Sequence, residues 1–72
     1  MLELNLSGLM CPLPILKTKK FLINLETGIQ VKIITTDPAS KFDLQEFCQK
    51  TGNILINQEN DQEKIISIIQ RR

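Results

Sequence analysis

The sequence holds two soft nucleophiles, Cys11 and Cys48. Cys11 stands in "GLMCPLP", between Gly8 and the prolines Pro12 and Pro14, at the mouth of an expected helix. In that reading Cys11 is the N-cap, Pro12 the first helical residue, and Pro14 lies in the first turn, where a missing N–H costs little. The N–H groups of Leu13 and Ile15 are left near the sulfur. A helix start carries roughly half a positive charge, so a thiol there ionises more easily. An ordinary cap would be Ser, Asp or Asn. The plainer alternative is that Cys11 fills a gap in a loop, since free cysteine is among the most buried residue types.

Several chemistries are excluded for this thiol. There is no histidine to act as a base, so a Cys-His hydrolase is not available within the chain. There is no C-x-x-C pair, so dithiol cycling lacks its resolving thiol. Cys48 falls on the buried face of the second expected helix and reads as structural. Two cysteines without histidine make a structural zinc site unsuitable, and no metal is expected. What remains is a lone exposed thiol that can accept a sulfur atom and hold it as a persulfide, with no cofactor, or serve as a redox sensor by oxidation to sulfenic acid.

The elements that must position it follow from the spacing of apolar residues. "LELNL" places Leu2, Leu4 and Leu6 on one side of a strand, and Ser7 and Gly8 turn the chain out of it. The first helix is expected from Pro12 to about Leu25, with Leu25, Thr18, Leu22, Ile15, Ile23 and Leu16 on the inward arc, Lys19 a misfit there, Lys17, Lys20, Leu13, Asn24 and Phe21 on the opposite arc, and Gly28 as the stop. "IQVKIITT" is rich in β-branched residues and alternates, so it is a strand. Asp37 is a suitable N-cap and Pro38 a suitable first residue for a second helix reaching about Lys50, with Ser40, Leu44, Phe47 and Cys48 on one face. "NILINQ" and "EKIISIIQRR" are expected as a hairpin turning at "END".

The order is therefore β-α-β-α-β-β in a single domain, residues 1–72. Right-handed crossovers place both helices on one face of a four-stranded mixed sheet, an α+β, two-layer sandwich. Both helices follow parallel strands, so both begin on one rim of the sheet. Cys11 and "DPASK" are then neighbours. Two helix starts and Lys41 favour negative charge there, and Asp37 and Asp43 oppose it. The second sheet face is uncovered, with Ile34, Leu55 and either Ile66 with Ile68 or Ile65 with Ile69 on it, shielded by long neighbouring side chains or serving as a partner surface.

At this point the sequence resembles the TusA/SirA-like sulfur carriers. "NLSGLMCPLP" matches the family's strand, glycine and Cys-Pro-x-Pro, and "TTDPASKFDLQEFCQKTGN" its Asp-Pro turn, second aspartate and Phe-Cys on the second helix. The likeness covers nearly the whole chain. It implies that Cys11 carries persulfide sulfur received from a pyridoxal-phosphate-dependent cysteine desulfurase and passes it to a relay or acceptor protein. In one branch that route ends in thiolation of a tRNA wobble uridine; others serve sulfur oxidation, molybdenum cofactor or selenium metabolism. Gly8, Pro12 and Pro14 carry over as helix-mouth scaffold, and Asp37, Pro38 and Asp43 as the neighbouring rim. Asn5 stands where many members carry aspartate.

Lys17, Lys19 and Lys20 form a basic patch on the first helix. Leu13 and Phe21 are expected to flank it in the open, giving a docking surface for an acidic partner, with Lys17 and Lys20 at its centre. Phe42 is a similar candidate on the second helix. The solvated helix face is the plainer reading. The competing function is a non-catalytic regulatory module that binds RNA or protein. Nine basic against eight acidic residues argue against strong capture of nucleic acid. "MLELNLSG" has no basic region followed by an apolar run, and no stretch is long enough to cross a membrane. A reduced thiol points to the cytoplasm, and a carrier with a free tip points to a monomer.

Overall fold

The computed structural model describes residues 1–72. The elements run β1 (Leu2–Leu6), α1 (Leu13–Ile23), β2 (Gln30–Thr35), α2 (Ser40–Thr51), β3 (Ile54–Asp61) and β4 (Lys64–Gln70). The sheet order is β1-β2-β4-β3. β1 is parallel to β2, and β4 is antiparallel to both β2 and β3. This is the expected two-layer α+β sandwich on a mixed sheet.

Register decides which side of each strand meets the helices. Leu4 pairs with Ile33, Val31 with Ile69, and Leu55 with Ile69. These positions point to the helical layer, where Leu22 of α1 and Leu44, Phe47 and Cys48 of α2 close the core. Each such apolar side chain contributes about 1.5–3 kcal/mol on burial. Ile65 and Ile69 are on the core side, so Ile66 and Ile68 occupy the open face with Ile34, all three half-buried. Leu55 is not on the open face: its partner Ile69 sets it against the core.

Besides the start of α1, three boundaries differ from the sequence expectation, each for a local reason. α1 stops at Ile23, and Asn24 caps it by donating its N–H to Leu22 O. The hairpin turns at Gln62 and Glu63, with Asp61 paired to Lys64, so "END" lies within β3. The polar residues of "END" are tolerated because β3 is an edge strand with solvent on one flank. α2 begins at Ser40, because Asp37 to Ala39 form a turn closed by the Ser40 N–H on Asp37 O at 2.9 Å. Gly52, at φ 81°, ends that helix in the left-handed conformation.

The α1 arc also rotates from its expected setting. Pro14, Thr18 and Leu22 are buried, whereas Leu16, Lys19 and Ile23 are exposed. Phe21 is half-buried against the core and does not stand in the open beside the lysines. Ile15, Phe21 and Leu25 pack beside Pro14, Thr18 and Leu22 against the core, so the buried stripe is centred on Thr18. The Thr18 hydroxyl is buried without a hydrogen-bond partner.

Candidate functional site

The site is the rim where β1 and β2 end and α1 and α2 begin. Gly8 leaves β1 at φ 83°, a conformation that side chains resist; a Cβ there would meet no atom within 4 Å, so the requirement is one of backbone angle. Its N–H donates to Thr36 Oγ1 at 2.8 Å. The Cys11 N–H donates to Asp37 Oδ2 at 2.8 Å. Two side chains of the β2–α2 loop thus hold two N–H groups of the cysteine loop. The loop itself is anchored from below. Asp37 Oδ1 accepts the Ala39 N–H at 3.1 Å, and the Ser40 hydroxyl donates to Asp37 O at 2.6 Å and meets the buried Thr35 hydroxyl.

Cys11 is exposed and Cys48 is buried, and neither is in a disulfide. Cys11 precedes the helix cap: Pro12 occupies that position, and the Cys11–Pro12 peptide is cis. The expectation that Pro12 is the first helical residue is therefore corrected. Leu13 begins the helix and spends its N–H on Met10 O at 2.9 Å, so it does not serve the sulfur. Pro14 is buried in the first turn of α1.

The charge around the thiol also corrects the sequence reading. The Asp43 carboxylate, by accepting the thiol's hydrogen bond, raises the Cys11 pKa above the ordinary cysteine value. Partial loss of hydration and the charges of Asp43 and Asp37 add to this. Lys41, half-buried in the first turn of α2, forms no ion pair with either aspartate. The resting site is therefore a thiol, not a thiolate. Burial pushes the Cys48 thiol further, to about 11.

Of the other proposed residues, Pro38 lies exposed in the β2–α2 turn, while Leu13, Lys17 and Lys20 are exposed on α1. The α1 groove is lined by Leu13, Leu16, Lys17, Lys19, Lys20 and Ile23, with a volume of about 380 Å³. Leu16 and Ile23 take the place given to Phe21. Sequence reasoning missed Thr36 and Met10. Thr36 carries a signal, a hydroxyl beside the rim aspartate at a strand end; Met10 carries only its adjacency to Cys11. Asn5 Oδ1 accepts the Ser7 N–H at 3.0 Å and the Ser7 hydroxyl at 2.6 Å, which shapes the exit from β1. No group of three metal-ligating side chains is present, and no helix is long and apolar enough to cross a membrane.

Such a molecule is a small α+β domain that presents one accessible thiol at the shared mouth of two helices, with a second thiol sealed in the core. Comparison with known proteins agrees on both fold and sequence. The chain belongs to the family described as sulfurtransferase TusA, whose family model matches residues 2–71. It is 41% identical over 69 residues to the sulfur carrier protein TusA of Allochromatium vinosum, covering 96% of this chain and 91% of that one. A longer relative in Aquifex aeolicus is 38% identical over 68 residues, 94% of this chain, and the chain spans 34% of that protein's length. The crystal structure of a SirA-like protein from Desulfitobacterium hafniense superposes with a TM-score of 0.84 at 28% identity, over 97% of this chain and 96% of that one.

Proposed function

We propose that this protein is a stoichiometric sulfur carrier in which Cys11 accepts a persulfide sulfur and passes it on. The observation that carries this reading is the contrast between the two thiols: Cys11 is exposed at a tied-down loop, and Cys48 is buried. The family and the relatives' names support the sulfur-carrier role. The donor is a pyridoxal-phosphate-dependent cysteine desulfurase, and the acceptor a relay protein, with tRNA thiouridine formation as one destination. The carrier works in the cytoplasm as a monomer, holding its cargo covalently and without a cofactor.

In the transfer, the Cys11 sulfur bonds to the outer sulfur of the donor's persulfide as the donor's S–S bond breaks. The donor cysteine leaves as a thiolate and takes up the proton that Cys11 gives up, so the pair as a whole is neither oxidised nor reduced. The nucleophile is the thiolate. Asp43 favours the protonated thiol, so Cys11 must give up that proton in the course of the transfer.

The test is intact-mass analysis after incubation with a cysteine desulfurase and cysteine, which should add about 32 Da per chain. Cys11→Ser should abolish the gain and Cys48→Ser should keep it. Sulfur found on Cys48, or full biological activity of Cys11→Ser, would instead favour a binding module.

A further inference from the structure

The end of the sheet opposite Cys11 has a cavity of its own. α1 ends there at Ile23, α2 at Thr51 and β4 at Gln70, and Arg71 and Arg72 run on from β4. The cavity measures about 140 Å³, and its charged lining is Lys19, Arg71 and Arg72, with no carboxylate among the residues around it. Neither ion pair of the chain involves these three cations: one joins Lys32 to Glu3, the other Lys50 to Glu46. Arg71 Nε is sealed from solvent and has no hydrogen-bond acceptor. That guanidinium makes one long bond, from Nη1 to Arg72 O at 3.4 Å. A guanidinium has five N–H donors, and a buried donor left without an acceptor is costly.

The backbone that carries the two arginines is fixed on both flanks. The Gly28 N–H donates to Arg71 O and the Arg71 N–H to Ile29 O, both at 2.8 Å. The Arg72 N–H donates to Asn53 Oδ1 at 2.9 Å, and Asn53 Nδ2 in turn donates to Thr51 Oγ1 at 2.9 Å. The Arg72 stem crosses Gly52: a Cβ on that glycine would lie 2.8 Å from Arg72 Cδ. The bare carbonyls at the ends of α1 and α2 favour positive charge here, yet none of them accepts from Arg71 Nε. Cations held in place around a small concavity, with a donor unspent, suit a small anion of more than one charge.

We propose that this cavity binds a phosphate-type oxyanion, with Arg71 and Lys19 as its main ligands and Arg72 at its edge. At roughly 30 Å³ per water, the volume has room for about four or five waters, enough for a tetrahedral oxyanion and a water or two. Arg71 presents its Nε–H and an Nη–H to two oxygens, the forked geometry that phosphate accepts. Lys19 adds a point charge from the second half of α1. The site stands apart from Cys11: α1 has 11 residues, which at 1.5 Å each separate its two ends by roughly 16 Å. Occupancy is therefore independent of whether Cys11 carries sulfur.

The probe is inorganic phosphate, titrated into the full chain at neutral pH and at an ionic strength kept constant with chloride. The NMR signal of the Arg71 Nε–H should move to saturation with a Kd of about 1 mM or tighter. Arg71→Lys, followed through the backbone signals of Thr51 and Asn53, should weaken binding severalfold although the charge is kept. Lys19→Gln changes an exposed side chain and should weaken it by about threefold. Lys64→Gln, at the other end of β4, should leave it unchanged. A shift that stays linear to about 20 mM phosphate, or that chloride alone reproduces, overturns the proposal. So does an affinity unmoved by Arg71→Lys and Lys19→Gln, or weakened as much by Lys64→Gln. Glycerol 3-phosphate identifies the source: tighter binding than phosphate assigns the site to phosphomonoesters, and weaker binding to the free ion. A single-stranded RNA that shifts the Arg71 signal where phosphate does not would mean a polyanion surface, and it too overturns the proposal.

Discussion

Replacing Asp37 with alanine tests whether the β2–α2 loop holds the cysteine loop in place. The carboxylate accepts two N–H groups, from Cys11 at 2.8 Å and from Ala39 at 3.1 Å. A hydrogen bond to a charged acceptor is worth about 1.5–3 kcal/mol, but water replaces an exposed one well. Both bonds here are exposed, so the pair is worth about 1–2 kcal/mol in total. For a chain of 72 residues, whose stability is roughly 4–11 kcal/mol, that is a large share. With a urea slope near 1 kcal/mol/M for so small a domain, the unfolding midpoint should fall by about 1–2 M. Asp37→Asn keeps one acceptor and should lose about half as much. Sulfur loading of Cys11 should slow in Asp37→Ala, because the thiol is no longer held at the rim. A midpoint shift below about 0.3 M together with unchanged loading would refute the reasoning, since the tether would then hold nothing.

Four further outcomes follow from particular side chains. The alkylation rate of Cys11 should rise with pH through a midpoint above that of an ordinary thiol, and Asp43→Asn should move that midpoint down, read with iodoacetamide on Cys48→Ser protein. Cys48 ionises near 9.0 when unfolded but at about 11 when folded. Its neutral form therefore favours the native state, fully below pH 9.0, and this stability is lost as pH rises toward about 11. Urea curves of Cys48→Ala across that range should show a shallower decline than wild type. Thr18→Val replaces an unpartnered buried hydroxyl with a methyl group and should raise stability by on the order of 1 kcal/mol, whereas a loss in calorimetry would mean that the hydroxyl has a partner. Leu44→Ala empties a fully buried position between helix and sheet and should cost about 2–5 kcal/mol, enough to bring such a small domain close to unfolding at room temperature.

Much of the architecture was legible in the chain because its signals are local. The alternation of Val31, Ile33 and Thr35 required a strand with one buried face, and all three are buried. Ser40, Leu44, Phe47 and Cys48 shared one stripe of a helix, and all four are buried. Gly8, Cys11, Pro12 and Pro14 marked a turn into a helix mouth with a thiol beside it. The errors arose where the outcome depends on contacts across the fold. Periodicity could not tell that Phe21, not Leu16, would lean on the core, because α1 carries apolar residues on both arcs and contacts across the fold choose between them. Nor could it place Leu55, whose face is chosen by pairing with Ile69.

By itself the sequence determined the element order, the position of a reactive-type residue at a strand exit, and the absence of any base, dithiol or metal set to serve it. Those properties depend on residue identity and near neighbours alone. Tertiary structure decided the state of that residue. Parallel strands bring the two loops together, so Asp37 and Asp43 reach Cys11 from residues 26 and 32 positions away in the chain. The hydrogen bond to Asp43, partial loss of hydration and the charges of Asp43 and Asp37 raise its pKa, against the direction expected of a helix start. Electrostatic energy depends on distance through space and not along the chain, which is why the sulfur's location could be read from the residues and its protonation could not.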